Sequence, residues 1–313
     1  MPDRPTLLDL MIQNGNDTAA GLLDEAAIGT PEVTGMFNGV KIPRFADARP
    51  IKGTSYNTLV RTRLPQVGFR DANEAPIKSK GTYEKRRVET YILNPRWECD
   101  KAVADQHEDG PEAYIATEGS GTVQAALQHL AAQFYYGTAN DAKGCPGLKA
   151  SVNDAMRVDA TGSTANGGSS VWAVRFGPND VQWVMGENGM LQLDDPRIGD
   201  ILDAEGHQLT GYIQEMLAYV GLQVRSIHSI GQIYNLTTQA DKGLTDDRIA
   251  ALLTKFKKGL PPHALLMSGR SQEQLRKSRT ATNATGAPAP LPTEAFGIPI
   301  IPTDNILDTE AIE

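Results

Sequence analysis

Aromatic residues make up only 6% of this 313-residue chain, and it has two cysteines, Cys99 and Cys145. A pair of thiols 46 positions apart allows one disulfide, and neither stands in a zinc-ligand spacing; two free core thiols is the reading favoured over that bridge. No apolar run approaches the ~20 residues that span a bilayer. The opening stretch MPDRPTLLDLMIQ has an early acid and no long apolar h-region, so a secretory signal is not expected and a cytoplasm-like compartment is. The five histidines (His107, His129, His207, His228, His263) never fall in HxxxH spacing. There is no GxSxG elbow, no CxxC, and no GxGxxG after a strand. Gly119-Ser120-Gly121 lacks the preceding strand and the Lys-Ser/Thr of a P-loop, and reads as a simple break before a helix. His107-Glu108-Asp109 reads as a solvated loop, Asp194-Asp195 as a turn and Asp246-Asp247 as a helix start. No catalytic residue, cofactor site or metal site is expected, and the chain is not expected to be an enzyme.

What the chain has in quantity is glycine (30) and proline (19), against 40% hydrophobic and 22% charged residues. That balance suits a globular protein with many turns and long excursions around a modest core. The formal net charge is −8, unevenly placed. Between positions 41 and 87 twelve Lys and Arg stand against four acids, a surplus of eight positive charges that leaves the remainder at −16. These cations are dispersed and not interleaved with stacking aromatics. The acidic body of a neighbouring copy therefore fits them better than nucleic acid does.

Residues 1–50 read as an arm that cannot fold alone. LLDLMI (7–12) and LLDEAAI (22–28) suit a turn or two of helix, while Pro31, Pro43 and Pro50 keep the residues before them extended. Residues 54–93 read as a two-stranded excursion. TSYNTLVRTRL runs out, Pro65, Gly68, Asn73, Pro76 and Gly81 mark a turn-rich tip, and YEKRRVETYIL returns. On the return, Tyr83, Lys85 and Arg87 alternate with Glu84, Arg86 and Val88. Such a ribbon has few apolar residues on either face and is not stable in water by itself. Its cations Arg61, Arg63, Arg70, Lys78, Lys80, Lys85, Arg86 and Arg87 are the candidate contacts to another subunit.

The clearest periodicity lies at 122–137. Val123, Ala126, Leu127, Leu130, Ala131 and Phe134 recur with the 3.6-residue period of a helix with one buried stripe. Gln124, Gln128, His129 and Gln133 fill the other side, Pro111 suits a first helical position, and Gly137 suits a left-handed cap. Beyond a flexible loop at 159–170, two strands flank Gly177-Pro178-Asn179-Asp180, with Trp172, Val174, Phe176, Trp183 and Met185 as core residues. Leu209, Tyr212, Ile213, Met216, Leu217 and Val220 fit a helix ending before Gly221, and 221–237 reads as one long strand covered on both faces. Thr245, the acids after it, and Lys257, Lys258 and Gly259 punctuate a helix over 245–258. HALLMSG reads as a short buried strand. Ser271 and Gln274 occupy capping-box positions of the next helix, 278–293 is a low-complexity loop, and FGIPIIPTDNI is a proline-bearing edge strand.

The order of these parts resembles the major capsid protein of a tailed bacteriophage. QFYYGTANDAKGCPGLKA resembles the helix-to-loop passage of that family. SSVWAVRFGPNDVQWV with GYIQEMLAYVGLQVRSIHSIGQIYNLT is similar to a subgroup from short-tailed and related phages, and PHALLMSGRSQEQLRKSR and AFGIPIIPTDNI match its last third. The resemblance implies an α+β fold, the capsid fold shared by tailed phages, herpesviruses and encapsulins. It divides the chain into an N-terminal arm (1–50), an extended β-hairpin loop (51–91), a peripheral domain with a long spine helix (92–150 and 293–313) and an axial α/β domain (151–292). Loops 159–170 and 280–292 would line the axes, and strand is favoured over helix around 209–220. Function follows as self-assembly, in hexamers and pentamers, into an icosahedral head enclosing double-stranded DNA without sequence-specific binding. Portal, scaffold and decoration proteins would be partners, with no membrane involved. Assembly would take place in the host bacterial cytoplasm and the product would be the virion. Some relatives cross-link a hairpin lysine to an asparagine of the next subunit; Lys78 and Lys80 lie in that stretch, and no residue set matches that chemistry specifically. The alternatives are an encapsulin-like nanocompartment shell and a soluble enzyme with a dispersed site.

Overall fold

The computed structural model describes residues 25–37, 47–186, 191, 193–203, 205–281 and 287–313. The helical turn expected over 7–12 lies outside these residues, and 25–28 are not helical. The first helix among the described residues, α1, is Pro31–Phe37, with proline where its missing N–H costs nothing. After β1 (Arg49–Pro50) come β2 (Ser55–Arg63) and β3 (Thr82–Glu89), an antiparallel pair that forms a sheet of its own. Then follow β4 (Tyr91–Leu93), β5 (Arg96–Asp100) and the single turn α2 (Lys101–Ala104), capped by the Asp100 carboxylate.

The spine helix α3 is longer than its apolar stripe, running Pro111–Tyr136 through Gly119-Ser120-Gly121 without interruption. Those glycines do not end the helix. A side chain at Gly119 would place its Cβ 2.8 Å from Gln214 Oε1 and 3.2 Å from Leu193 Cδ1, so the position marks a close approach to another part of the chain. Gly137 ends the helix with φ +54° and ψ −129°, a region open to glycine but not the left-handed cap expected. Its Cβ would lie 2.1 Å from the Gly147 nitrogen, because the chain turns back past the helix end there. Gln133, expected on the polar side, is buried. Its amide donates to the carbonyls of Cys145 (2.7 Å) and Asp141 (3.2 Å) and accepts from Asn140, which fixes the returning loop.

Next along the chain are α4 (Leu148–Ser151), β6 (Arg157–Asp159), β7 (Ser169–Val174), β8 (Val181–Met185), β9 (Arg197–Leu202), β10 (Gln208–Glu215), β11 (Ala218–Val224) and β12 (Ile230–Leu236). Then come α5 (Asp246–Leu253), β13 (Ala264–Met267), α6 (Gly269–Ala281), β14 (Glu294–Ala295) and β15 (Ile298–Pro302). The helical period over 209–220 is therefore overruled by two strands. Gly211 explains why pairing wins: its Cα faces the Cys99 carbonyl so closely that a Cβ would stand 2.4 Å from it. The single strand expected at 221–237 is likewise two, β11 and β12, which belong to different sheets.

A six-stranded mixed sheet, β14-β15-β13-β7-β12-β6, forms the centre. Its middle strands are buried on both faces, which is why SSVWAV and ALLM read as near-continuous apolar runs. Trp172, Val174, Ala264 and Leu266 face a core shared with α3 and the four-stranded sheet β1-β8-β11-β4. Val171, Ala173, Leu265 and Met267 face a second core closed by Ile249, Leu252 and Phe256 on one side and Leu275 on α6. A third, small core of Cys99, Val103, Ala104 and Tyr114 lies under the sheet β5-β10-β9. Both cysteines are free and buried, in different cores, and burial pushes each thiol up to about 11. Residues 293–313, grouped with the spine helix by the resemblance, are divided. β15 pairs with β13 in the central sheet, and the tail beyond it returns to α3, where Leu307 N–H donates to Tyr136 Oη and that hydroxyl donates to Glu310.

Candidate functional site: the extended hairpin

The register of β2 and β3 decides which side chains share a face. Tyr56 pairs with Val88 and Thr58 with Arg86, positions that are buried or half-buried and lean on the body, and the half-buried Val60 pairs with the exposed Glu84. Asn57 pairs with Arg87, Leu59 with Lys85 and Arg61 with Tyr83, all exposed, so the alternation read from the sequence of the return strand is present. The root is tied down. Tyr56 Oη donates to Gln223 Oε1, the Arg49 guanidinium lies 4.7 Å above the Tyr56 ring, and Arg86 Nη1 donates to the Arg225 carbonyl at 3.1 Å. Beyond the root, every residue from 61 to 80 is exposed.

The eight candidate cations thus have different situations. Arg86 is half-buried and already engaged with Arg225 and Glu84. Arg70 holds the tip's own turn through the Glu74 carbonyl (2.9 Å), Arg87 pairs with Glu89 (2.8 Å), and Arg61 donates to Tyr83 Oη (3.0 Å). Arg63, Lys78, Lys80 and Lys85 are exposed with no acidic partner among the described residues. Charge is only part of what the hairpin presents. Leu59, Leu64, Val67, Phe69, Ile77 and Tyr83 are all more than half exposed, Val67 and Phe69 as fully as in an unfolded chain (92% and 108%). Sequence reasoning weighed the tip as cations and turn formers and missed this. The available signal was four large apolar residues among turn formers, at spacings that fit no burial period.

A second junction joins the arm to the body. Gln124 and Gln128 of α3 donate to the carbonyls of Ile28 (2.9 Å) and Ala26 (3.0 Å), so part of the polar side of the helix holds the arm. Trp183 Nε1 donates to the Glu32 carbonyl (2.9 Å), and Glu32 itself is fully buried. Its carboxyl accepts from Thr303 Oγ1 at 3.3 Å. Burial pushes this carboxyl up to about 7; hydrogen bonds partly oppose the rise and Asp304 adds to it.

Among the described residues one group of potential metal ligands comes together, Asp203, Glu205 and His207 on the β9–β10 turn. The Asp203 carboxylate already accepts from the backbone amides of Glu205 (3.0 Å) and His207 (2.6 Å) and faces the His207 ring, so turn geometry accounts for the cluster. Backbone amides at the same carboxylate hold its pKa below the usual range. An open groove of about 490 Å³ between β4, α3 and the 141–145 loop is lined mainly by apolar atoms and gathers no reactive set. No helix among the described residues is long and apolar enough to cross a membrane.

A family model described as Major capsid protein GP7 matches residues 47–312. A solved structure of bacteriophage Epsilon15 superposes with a TM-score of 0.71 at 21% identity, covering 99% of this chain and 97% of that one. The capsid of bacteriophage JBD30 gives 0.49 at 11% identity, with 97% and 99% covered. The SrpI encapsulin of Synechococcus elongatus gives 0.42 at 14% identity, with 72% and 97% covered. No curated protein matches the chain.

Proposed function

The chain belongs to the family of major capsid protein GP7 and has the tailed-phage capsid fold, and from that premise we propose how it builds a phage head. Copies associate as hexamers and pentamers into a closed icosahedral shell around double-stranded DNA, each laying its β2–β3 hairpin across a neighbour. The observation that carries this reading is the hairpin itself. A two-stranded ribbon with every residue from 61 to 80 exposed and six large apolar side chains in water is not an end state for a lone molecule. Burying those side chains against another copy supplies non-directional affinity, and the cations beside them supply register and discrimination. The arm (1–50) and the hairpin (51–91) are the reaching parts. The 92–150 segment with α3 is the peripheral body, and the central sheet with α5 and α6 gathers around the axes, with the 159–170 and 280–292 loops at their rims. A net charge of −8 disfavours adhesion of packaged DNA to the inner wall. Portal, scaffold and decoration proteins complete the particle in the host bacterial cytoplasm.

Negative-stain electron microscopy of the purified chain, with sedimentation alongside, tests the reading. Closed shells, or rings of five and six, are expected. A monomer or dimer that also fails to assemble when its neighbouring gene products are supplied would overturn it.

A further inference from the structure

Phe296 occupies a backbone position that suits other residues better. The β14–β15 turn has two residues, Phe296 and Gly297, with φ of +52° and +73°. Two-residue hairpin turns favour positive φ at both places, and asparagine followed by glycine supplies it at least cost. A bulky aromatic side chain in that region is strained. Burial does not offset the strain, because Phe296 is 60% exposed. Strain kept without a packing return points to a use outside the fold. Beside the ring, an open groove of about 630 Å³ runs between the end of α5, the 259–262 stretch and the β14–β15 turn. Phe256 and Ile298, buried members of the second core, form its floor. Pro261 and Pro262 line one side, and Arg175 Nη1 donates to the Pro261 carbonyl at 3.0 Å, so this wall is set before anything binds. Leu260, between two lining residues, is 44% exposed. Lys257 and Lys258 also line the groove, both exposed and without an ion-pair partner among the described residues. No acid lines it, and positions 253–262 hold three lysines against none.

We propose that this groove binds a short acidic segment of a partner protein, with one apolar side chain of the segment seated on Phe296 and its carboxylates facing Lys257 and Lys258. Size limits the occupant, since this volume takes a few side chains and not a flat protein face. Charge fixes its sign, because two unpaired lysines flank a groove without acids. A long polyanion such as DNA fits less well. The chain's total of −8 acts along the whole of a duplex, whereas a short segment meets only the field within a Debye length, about 8 Å at physiological salt. Each exposed ion pair contributes little, so the apolar seat supplies the affinity and the lysines supply the selection. The site is complete within one subunit, and the proposal therefore stands apart from the shell reading.

The test passes a displayed library of random short peptides over the immobilised full-length subunit, with depletion on the variant carrying Lys257→Glu and Lys258→Glu. Recovered peptides should carry acids flanking a leucine or an aromatic residue. A recovered peptide, synthesised with a fluorophore, should bind the double variant roughly tenfold or more weakly in fluorescence anisotropy. Phe296→Asn separates a binding role from a structural one. It should weaken the same peptide by a similar factor and yet raise the melting midpoint of the subunit by about 2 °C, because asparagine adopts this turn more readily. A Phe296→Asn chain that melts lower, or that binds the peptide as well as the unaltered chain does, overturns the proposal. So does a library that yields no acidic peptide. A short DNA duplex bound more tightly through the same two lysines, or self-association in sedimentation that the lysine changes abolish, assigns the groove to nucleic acid or to a second copy and overturns it too. Circular dichroism reports whether the lysine variant keeps its fold; should it not, the two measurements on Phe296→Asn decide alone.

Discussion

Replacing Glu32 by Gln should make the subunit more stable at pH 8 and leave it nearly unchanged at pH 4.5. Glu32 lies where the arm meets the body, fully buried, with the Thr303 hydroxyl as donor and Asp304 nearby. Its folded pKa is raised to about 7 from an ordinary value of 4.5, so the dependence runs opposite to that of an ion-paired acid. Below pH 4.5 folded and unfolded chains both hold the proton, and nothing is lost. As the pH rises toward 7 the unfolded chain ionises while the folded chain keeps its proton, so stability falls. Above 7 both are ionised and the loss stops growing. A rise of this size corresponds to about 3 kcal/mol between the two ends of the window. Glutamine keeps the shape and an acceptor for Thr303 but cannot ionise, so the pH-dependent part should vanish. Urea unfolding of the unassembled subunit, followed by circular dichroism from pH 4.5 to 8, gives the quantity needed. The difference between the variant and the unaltered chain should grow by about 3 kcal/mol across that range, and constant effects of the amide cancel in the comparison. A difference that stays flat between pH 4.5 and 8 would refute the reasoning, since a solvated carboxyl has no such window.

Three further outcomes follow from the packing. Val67→Ser with Phe69→Ser should leave the melting of the unassembled subunit within about 0.5 kcal/mol of the unaltered chain, because both side chains are fully exposed, yet abolish shells in electron microscopy. Gly121→Ala sits in the spine helix with open space where its methyl would go, and should stabilise the subunit by up to about 1 kcal/mol in thermal unfolding. Gly137→Ala should prevent folding, seen as insoluble expression, because its methyl would enter the Gly147 backbone and its φ is positive.

The contrast between those two glycines shows what was legible and why. Features that are local in cause could be read directly. The stripe of α3 needs only the helical period, and the start of α5 needs only Thr245, whose side chain accepts from Arg248 N–H as the spacing requires. The alternation of β3 needs only a pleat. Features that depend on what lies opposite could not be read. Ser271 and Gln274 have a capping-box spacing, yet the helix starts at Gly269, with Ser268 accepting from the Ser271 amide and Gln274 turned to Leu244 and Thr237. Residues 209–220 have a helical period by count, but β5 and β9 are waiting on both sides of β10. Gly119 and Gly211 look like flexibility in one dimension and prove to be points of contact in three. The hairpin extends the same logic one level up. Phe69 and Ile198 are exposed in every description confined to one chain, so neither local pattern nor the fold assigns them a purpose. What assigns one to Phe69 is the requirement that large apolar surface not be left in water, which a lone subunit violates and contact with a neighbour would satisfy.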